Sequence, residues 1–425
     1  MDQPQAVCPP PSAGLSAGKR TLLANQYHQI RQQTLLLCQP LQAADYELQA
    51  AEFTSPAKWH LAHTSWFFET FLLKPHLSGY QPFHPQFAQL FNSYYNGIGQ
   101  PYPRAQRGLL SRPALDQVLA YREFVDNAMQ PLLSEPALVP LIELGLNHEQ
   151  QHQELLLTDL LYCWSLNPLC PVYQPDQPLP AAISDNSWQE FDGGMHCIGH
   201  KPGKGFAFDN ESPRHQVYVG DFALARRLTS NREYLEFIQD GGYQQPQLWL
   251  ADGWSWVQQH QIQAPLYWRD SSAGLQQYSL NGLRPLALDA PVCHVSFYEA
   301  DAFARWSGAR LATEAEWEVS ASGLDSQQGH FADSGRFSPS PAGTASGVQQ
   351  QFGDCWEWTS SPYQPYPGYQ PAAGAVGEYN GKFMCNQMVL RGGSCATPAG
   401  HIRASYRNFF YPHERWQFSG IRLAR

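Results

Sequence analysis

Glycine is spread so unevenly along this 425-residue chain that one architecture cannot serve both ends: 7 of the 33 glycines precede residue 186 and 26 follow it. A glycine-poor stretch favours long helices, whereas frequent glycine supplies the turns of a loop-rich fold. Before the break the pattern predicts four helices. The first runs from about Thr21 to Cys38, and the second opens with Ser55 as N-cap and Pro56 at the first helical position. Ser111-Arg112-Pro113 starts a third, ending near Pro131. The fourth covers about Leu138 to Ser165, with Leu141, Leu144, His148, His152 and Leu155 along one face. Four such helices predict an up-and-down bundle over residues 20–166. The proline-rich tail at 1–19 lacks a leader pattern and reads as disordered. Pro168, Pro171, Pro175, Pro178 and Pro180 mark a semi-rigid linker at 167–187. From 188 to 425, alternating segments such as His215–Val219 and Pro291–Val295 lie between turn residues, with one helix at about Tyr298 to Ser307. That predicts an irregular α+β domain, which carries 10 of the 13 tryptophans.

Charged residues make up only 15% of the chain and aromatics 13%, which supports large cores and excludes a disordered protein. The net charge of −10, without any lysine and arginine cluster, argues against nucleic acid or an anionic membrane as partner. No stretch approaches the roughly 20 apolar residues that span a bilayer. Small-molecule substrates are expected. Nine cysteines with no CxxC pair predict a reduced, cytoplasmic protein, while oligomeric state is not readable.

The strongest chemical signal is Asn147-His148-Glu149-Gln150-Gln151-His152-Gln153-Glu154. On a helix, residues four apart differ by about 400° of rotation, so His148 and His152 share a face one turn apart. The rest of that face is leucine, so both imidazoles should point into the bundle, where such folds build metal sites. Glu154 lies about 200° round from His152 and cannot share an ion with both histidines on a regular helix. A third ligand is better sought in Trp59-His60-Leu61-Ala62-His63, where His60 or His63 could face the metal. Three neutral imidazoles would leave a divalent ion its full charge and favour an anionic substrate ligand such as a thiolate. Zinc would accept such a site too, so iron does not follow from the ligands alone.

The segments Trp59–His63 and His148–Glu154, together with the run from Arg391-Gly392-Gly393-Ser394 to Gly420-Ile421-Arg422, resemble the ergothioneine-biosynthetic sulfoxide synthases. That family joins a DinB-like four-helix bundle to an α+β domain similar to the formylglycine-generating enzyme and the C-type lectins. The resemblance implies iron(II) held by His63, His148 and His152, with O2 as co-substrate. It implies the coupling of a thiol to C2 of the imidazole of hercynine, the trimethylated betaine of histidine, with oxidation of the sulfur to a sulfoxide. Asn92-Ser93-Tyr94-Tyr95 matches a tyrosine pair of one subgroup, implying Tyr94 or Tyr95 as proton donor. Gln151, Asn408 and Phe409 fall where hercynine is bound, and Arg104 and Arg107 match arginines suited to a donor carboxylate. The actinobacterial branch has an acidic residue at the position of Phe410 and an arginine at that of Glu414, both serving γ-glutamylcysteine. Their absence favours free cysteine.

A selenoneine synthase, joining a selenosugar to hercynine, shares this scaffold; a carboxylate-gripping arginine pair leans towards cysteine. A DinB-type zinc thiol transferase or hydrolase would use the same histidines. A copper-dependent formylglycine generator needs two cysteines after the Gly-Gly-Ser, and only Cys395 is present. The motifs Leu311–Glu318 and Gly353–Thr359 read as structural.

Overall fold

The computed structural model describes residues 17–180, 187–272, 274–344 and 346–425. Residues 1–16 of the expected tail and 181–186 of the linker lie outside that description. Four long helices form the first domain: α1 (Ala17–Cys38), α2 (Ala57–Phe68), α3 (Leu115–Met129) and α4 (Val139–Ser165). Three starts differ from expectation. α1 begins four residues earlier, Pro56 rather than Ser55 is the N-cap of α2, and Ala114 is the N-cap of α3, Ser111 to Pro113 lying outside the helix. Every residue of α2 is buried, so it has no solvent face. The segment at 77–110 closes the side that the other helices leave open: Trp59 and Trp66 donate their indole N–H to the carbonyls of Leu90 (3.2 Å) and Ala88 (3.0 Å).

A buried ion cluster ties all four helices together. Glu149 of α4 accepts from Arg31 (2.9 Å) and Thr34 (2.6 Å) of α1 and from Arg122 of α3. The two arginines also donate to Ser65 (2.9 Å) and Thr64 (3.0 Å) of α2. Close packing completes the arrangement: a Cβ at Gly145 would sit 2.6 Å from Cε1 of Phe68, so glycine lets α4 approach α2 one turn before His148.

The second domain consists of β1 (Trp188–Phe191), β2 (Gly194–Ile198), β3 (His215–Val219), β4 (Phe222–Ala225), α5 (Asn231–Gln239), α6 (Ala251–His260), β5 (Trp268–Ser271), β6 (Gly274–Ser279), β7 (Gly282–Pro285), α7 (Phe297–Trp306), β8 (Arg310–Leu311), α8 (Glu314–Ser320), β9 (Trp356–Pro362), β10 (Met388–Arg391), β11 (Asn408–Phe410), β12 (Ser419–Gly420) and β13 (Leu423–Ala424). Two four-stranded sheets, ordered β1-β4-β13-β8 and β11-β10-β9-β12, form its centre. The last strand closes on the domain's beginning, with Ala424 opposite Leu224. Helices α5, α6 and α8 accompany the one expected, and Pro291–Val295 is no strand: it contributes only a bridge from Pro291 to Ser230. Ser230, Ser296 and Thr313 cap α5, α7 and α8 through Glu233, Glu299 and Glu316 three residues on, a start signal that turn-rich surroundings mask.

The acids of Leu311–Glu318 and Gly353–Thr359 pair with arginines: Glu314 with Arg407 (2.9 Å), Glu318 with Arg391, and Glu357 with Arg422 (2.8 Å). They brace loops, as expected. The linker also packs, since Tyr173 donates its hydroxyl to the Leu37 carbonyl of α1 (2.6 Å) and its N–H to Leu280 (2.9 Å). The described cysteines are free, and no described helix is long and apolar enough to cross a membrane.

Candidate active site

The one-turn spacing of α4 and the close crossing of α2 bring His63, His148 and His152 together, with their nearest nitrogens all within 4.8 Å. Nε2 of His63 and Nε2 of His148 are 3.1 Å apart, the separation of two nitrogens each about 2.1 Å from one ion. Two of the three remote nitrogens are anchored. His63 donates Nδ1–H to the Phe91 carbonyl (2.6 Å), and Nδ1 of His152 faces Nδ1 of His60 (2.8 Å). Such anchoring leaves the near nitrogen free to ligate. The His63 ring lies between Trp59 and Trp66, at centroid distances of 4.5 and 5.4 Å, which fixes its plane. Burial pushes the His148 imidazole down to about 3, and burial with repulsion from His148 holds His63 and His152 well below the usual histidine range. All three are neutral at physiological pH, the form that binds metal. The donor set therefore fits a divalent transition ion.

Glu154 turns away, as its helical position requires. Its buried carboxylate accepts from Trp356 Nε1 (2.8 Å), Ser394 Oγ (2.5 Å) and Thr397 Oγ1 (2.7 Å), and so docks α4 onto the second domain. His60 is no member of the triad; it stands behind His152.

Between the domains lies a cavity of about 410 Å³ bordered by His148, His152 and most of the other expected residues. Gln151 reaches it one position after Gln150, donating to Tyr406 Oη (2.7 Å) and accepting from Tyr379 Oη. Asn408 and Phe409 line it from β11, where pairing with β10 sets Phe409 opposite Val389. The Phe409 ring stacks on Tyr363 at 4.0 Å, which holds an aromatic face in place. Phe410 and Glu414 also reach the cavity, and burial pushes the Glu414 carboxyl up to about 7.

The two tyrosines are placed differently. Tyr94 borders the cavity, whereas Tyr95 is fully buried behind it, its hydroxyl 3.5 Å from that of Tyr94. Burial raises both well above the usual phenol range, so both stay protonated. The arginines divide likewise. Arg104 is exposed, while Arg107 is buried with its guanidinium 3.4 Å over the Trp59 ring. Arg107 donates to Ser55 Oγ (2.9 Å), its Nε has no partner, and it pairs with no acid among the described residues. Burial, with Arg104 nearby, depresses its affinity for the proton. A guanidinium so placed beside the cavity has donor capacity left over.

Tyr379, Phe208 and Tyr406 also form the cavity wall and were not anticipated. Tyr379 stacks on Phe208 and turns towards His148, with ring centroids 5.4 and 5.7 Å away. Its loop is fastened across the cavity mouth by Glu378, which accepts from the N–H groups of Asn96 (3.0 Å) and Gly97 (2.7 Å), and by Lys382, which donates to the Tyr94 carbonyl. Gly377-Glu378-Tyr379-Asn380-Gly381 has no periodicity, so only its isolated tyrosine among turn residues could have drawn notice.

Residues 190–345 and 324–425 match the sulfatase-modifying factor enzyme 1-like domain. Along nearly the whole chain, 32% of residues over an alignment of 438 are identical to a hercynine oxygenase of Mycolicibacterium smegmatis, covering 95% of this chain and 99% of that protein. A hercynine oxygenase of Mycobacterium tuberculosis is 31% identical over 87% of this chain and 91% of its own length. Ergothioneine biosynthesis protein 1 of Schizosaccharomyces pombe is 29% identical over 52% of this chain and 28% of that longer protein.

Proposed function

This chain belongs to the hercynine oxygenase family, and we propose that it joins the sulfur of free cysteine to C2 of the hercynine imidazole in an iron(II)- and O2-dependent reaction that yields the sulfoxide. One oxygen atom ends on sulfur; the other leaves as water with the hydrogens of the thiol and of imidazole C2. The observation that carries this reading is a single cavity bordered at once by clustered neutral imidazoles, a buried guanidinium without an ion-pair partner among the described residues, and an aromatic face. His63, His148 and His152 would hold iron(II), which when bound supplies the redox chemistry with oxygen that C–S bond formation requires.

The protein's own residues perform the rest. Phe409 offers a ring face to a trimethylammonium group, and Asn408 and Gln151 offer amide donors and acceptors to the betaine carboxylate and the imidazole. Arg107 receives the cysteine carboxylate in a site where the pair is poorly screened, with Arg104 at the rim. Holding both substrates beside the triad converts an encounter of three molecules into a reaction within one complex. Tyr94, which borders the cavity with the Tyr95 hydroxyl 3.5 Å from its own, would deliver a proton to the reacting oxygen.

Reconstitution with iron(II) without air, followed by oxygen, hercynine and one donor at a time, tests the reading. Cysteine is expected to give the coupled sulfoxide by mass spectrometry, ahead of γ-glutamylcysteine and of a selenosugar, which has no carboxylate for Arg107. No coupled product from any donor would overturn it. In the same assay Arg107→Met should raise KM for cysteine about 10- to 100-fold, the worth of a charge-assisted hydrogen bond, but leave any turnover of cysteamine unchanged. An equal loss with both thiols would remove Arg107 from carboxylate binding. Tyr94→Phe should divert turnover from coupling to simple thiol oxidation, with a smaller diversion for Tyr95→Phe. Unchanged product ratios in both variants would exclude the tyrosines.

A further inference from the structure

His60 conforms to no role so far assigned, yet it is buried and hydrogen-bonded at both ring nitrogens. Its Nε2 is 3.1 Å from Asp159 Oδ2, and its Nδ1 is 2.8 Å from Nδ1 of His152. The same Asp159 oxygen also accepts the Ser55 N–H at 2.8 Å, so the carboxylate is held in position by the residue that leads into α2. A carboxylate oxygen accepts hydrogen bonds, so the His60 proton sits on Nε2. In a neutral imidazole Nδ1 is then an acceptor. His152 must supply the proton between the two Nδ1 atoms, which leaves Nε2 as its nitrogen with a free lone pair.

We propose that His60 and Asp159 are positioning residues for the metal centre, holding His152 in the one tautomer and ring orientation that presents Nε2 to the ion. This rests on the reading of His63, His148 and His152 as a metal site. The chain of contacts extends further, because Arg107 donates to Ser55 Oγ (2.9 Å) while the backbone of that serine binds Asp159. The residue proposed to receive the donor carboxylate is thus two hydrogen bonds from the aspartate that orients the ligand system.

Cobalt(II) added to the metal-free full chain tests this without turnover. Outer-shell partners of ligating histidines typically matter 10- to 100-fold in metal affinity, and His60→Ala is expected to weaken cobalt binding by that factor and to shift its ligand-field bands. His60→Asn, whose amide oxygen can accept in place of Nδ1, should recover most of the affinity and the wild-type spectrum. Asp159→Leu should resemble His60→Ala. Wild-type affinity and spectrum in His60→Ala would overturn the proposal, and so would His60→Asn no better than alanine, since that would make the ring a packing element only. Wild-type protein that takes up no cobalt would instead bring down the metal reading beneath it.

Discussion

Alanine in place of His148 is expected to strip the protein of iron and abolish coupling, whereas glutamine in place of Glu154 should leave iron content unchanged. The contrast follows from geometry. His148 Nε2 is 3.1 Å from its counterpart on His63, so its removal takes one of three converging donors and leaves two, too few to define the site. The loss in affinity should exceed the roughly 100-fold that outer-shell changes reach. The fold should survive, because the imidazole forms no hydrogen bond to the bundle through Nδ1 and Phe67 and Tyr379 flank the vacated space. Glu154 completes the two-histidine, one-carboxylate set that helical rotation argues against, and its oxygens face Trp356, Ser394 and Thr397 instead. Iron content after dialysis, read with far-ultraviolet circular dichroism, decides the matter. Full occupancy in His148→Ala, or its loss in a folded Glu154→Gln, would refute the triad.

The legible part of this site was the part governed by period. Helical rotation alone placed His148 and His152 on one face and excluded Glu154, because α4 is a regular helix throughout the motif. The choice between His60 and His63 was not legible. They are three apart on a helix buried on every side, so hydrophobic patterning marks neither as facing inward, and the decision rests on the crossing of α2 and α4 at Gly145. Arg104 and Arg107 looked alike in sequence, yet the short helix that bears them buries only the second, against Trp59. Tyr379 lies on a loop held by side-chain contacts to Asn96 and Gly97, about 280 residues away, which no local pattern encodes. In the second domain helices α5, α6 and α8 escaped notice because each is 10 residues or shorter and set among glycine and proline, where turn signals outweigh a brief amphipathic period.

Glutamine in place of Glu149 is expected to destabilise the protein by about 3–5 kcal/mol at pH 7, the cost of leaving a buried cation, Arg122, without its counter-charge. The substitution preserves size, so packing hardly enters. Glu149 is fully buried, and what remains would be Arg122 with no other acid in ion-pair contact among the described residues and Arg31 with Asp126 alone (2.7 Å), facing an amide that can receive at most part of their hydrogen bonds. Burial by itself would raise the Glu149 carboxyl, but Arg122 and Arg31 outweigh it and hold the group down at about 2, from an ordinary 4.5. Depression of an acid means that the folded state favours the ionised form. Its stabilisation is therefore complete above about pH 4.5 and is lost as pH falls through about 2, a contribution of roughly 3 kcal/mol. Urea unfolding at pH 7 and again near pH 3 should show the gap between wild type and Glu149→Gln narrowing with acid; a pH-independent gap, or one below about 1 kcal/mol, would refute the assignment. Because Glu149 follows His148 directly and its partners come from α1 and α3, the charge cluster also sets the rotation of α4 about its own axis. A turn of one residue position, about 100°, would carry both histidines out of the cavity. Iron affinity in folded Glu149→Gln should therefore fall with stability, through a residue that never touches the ion.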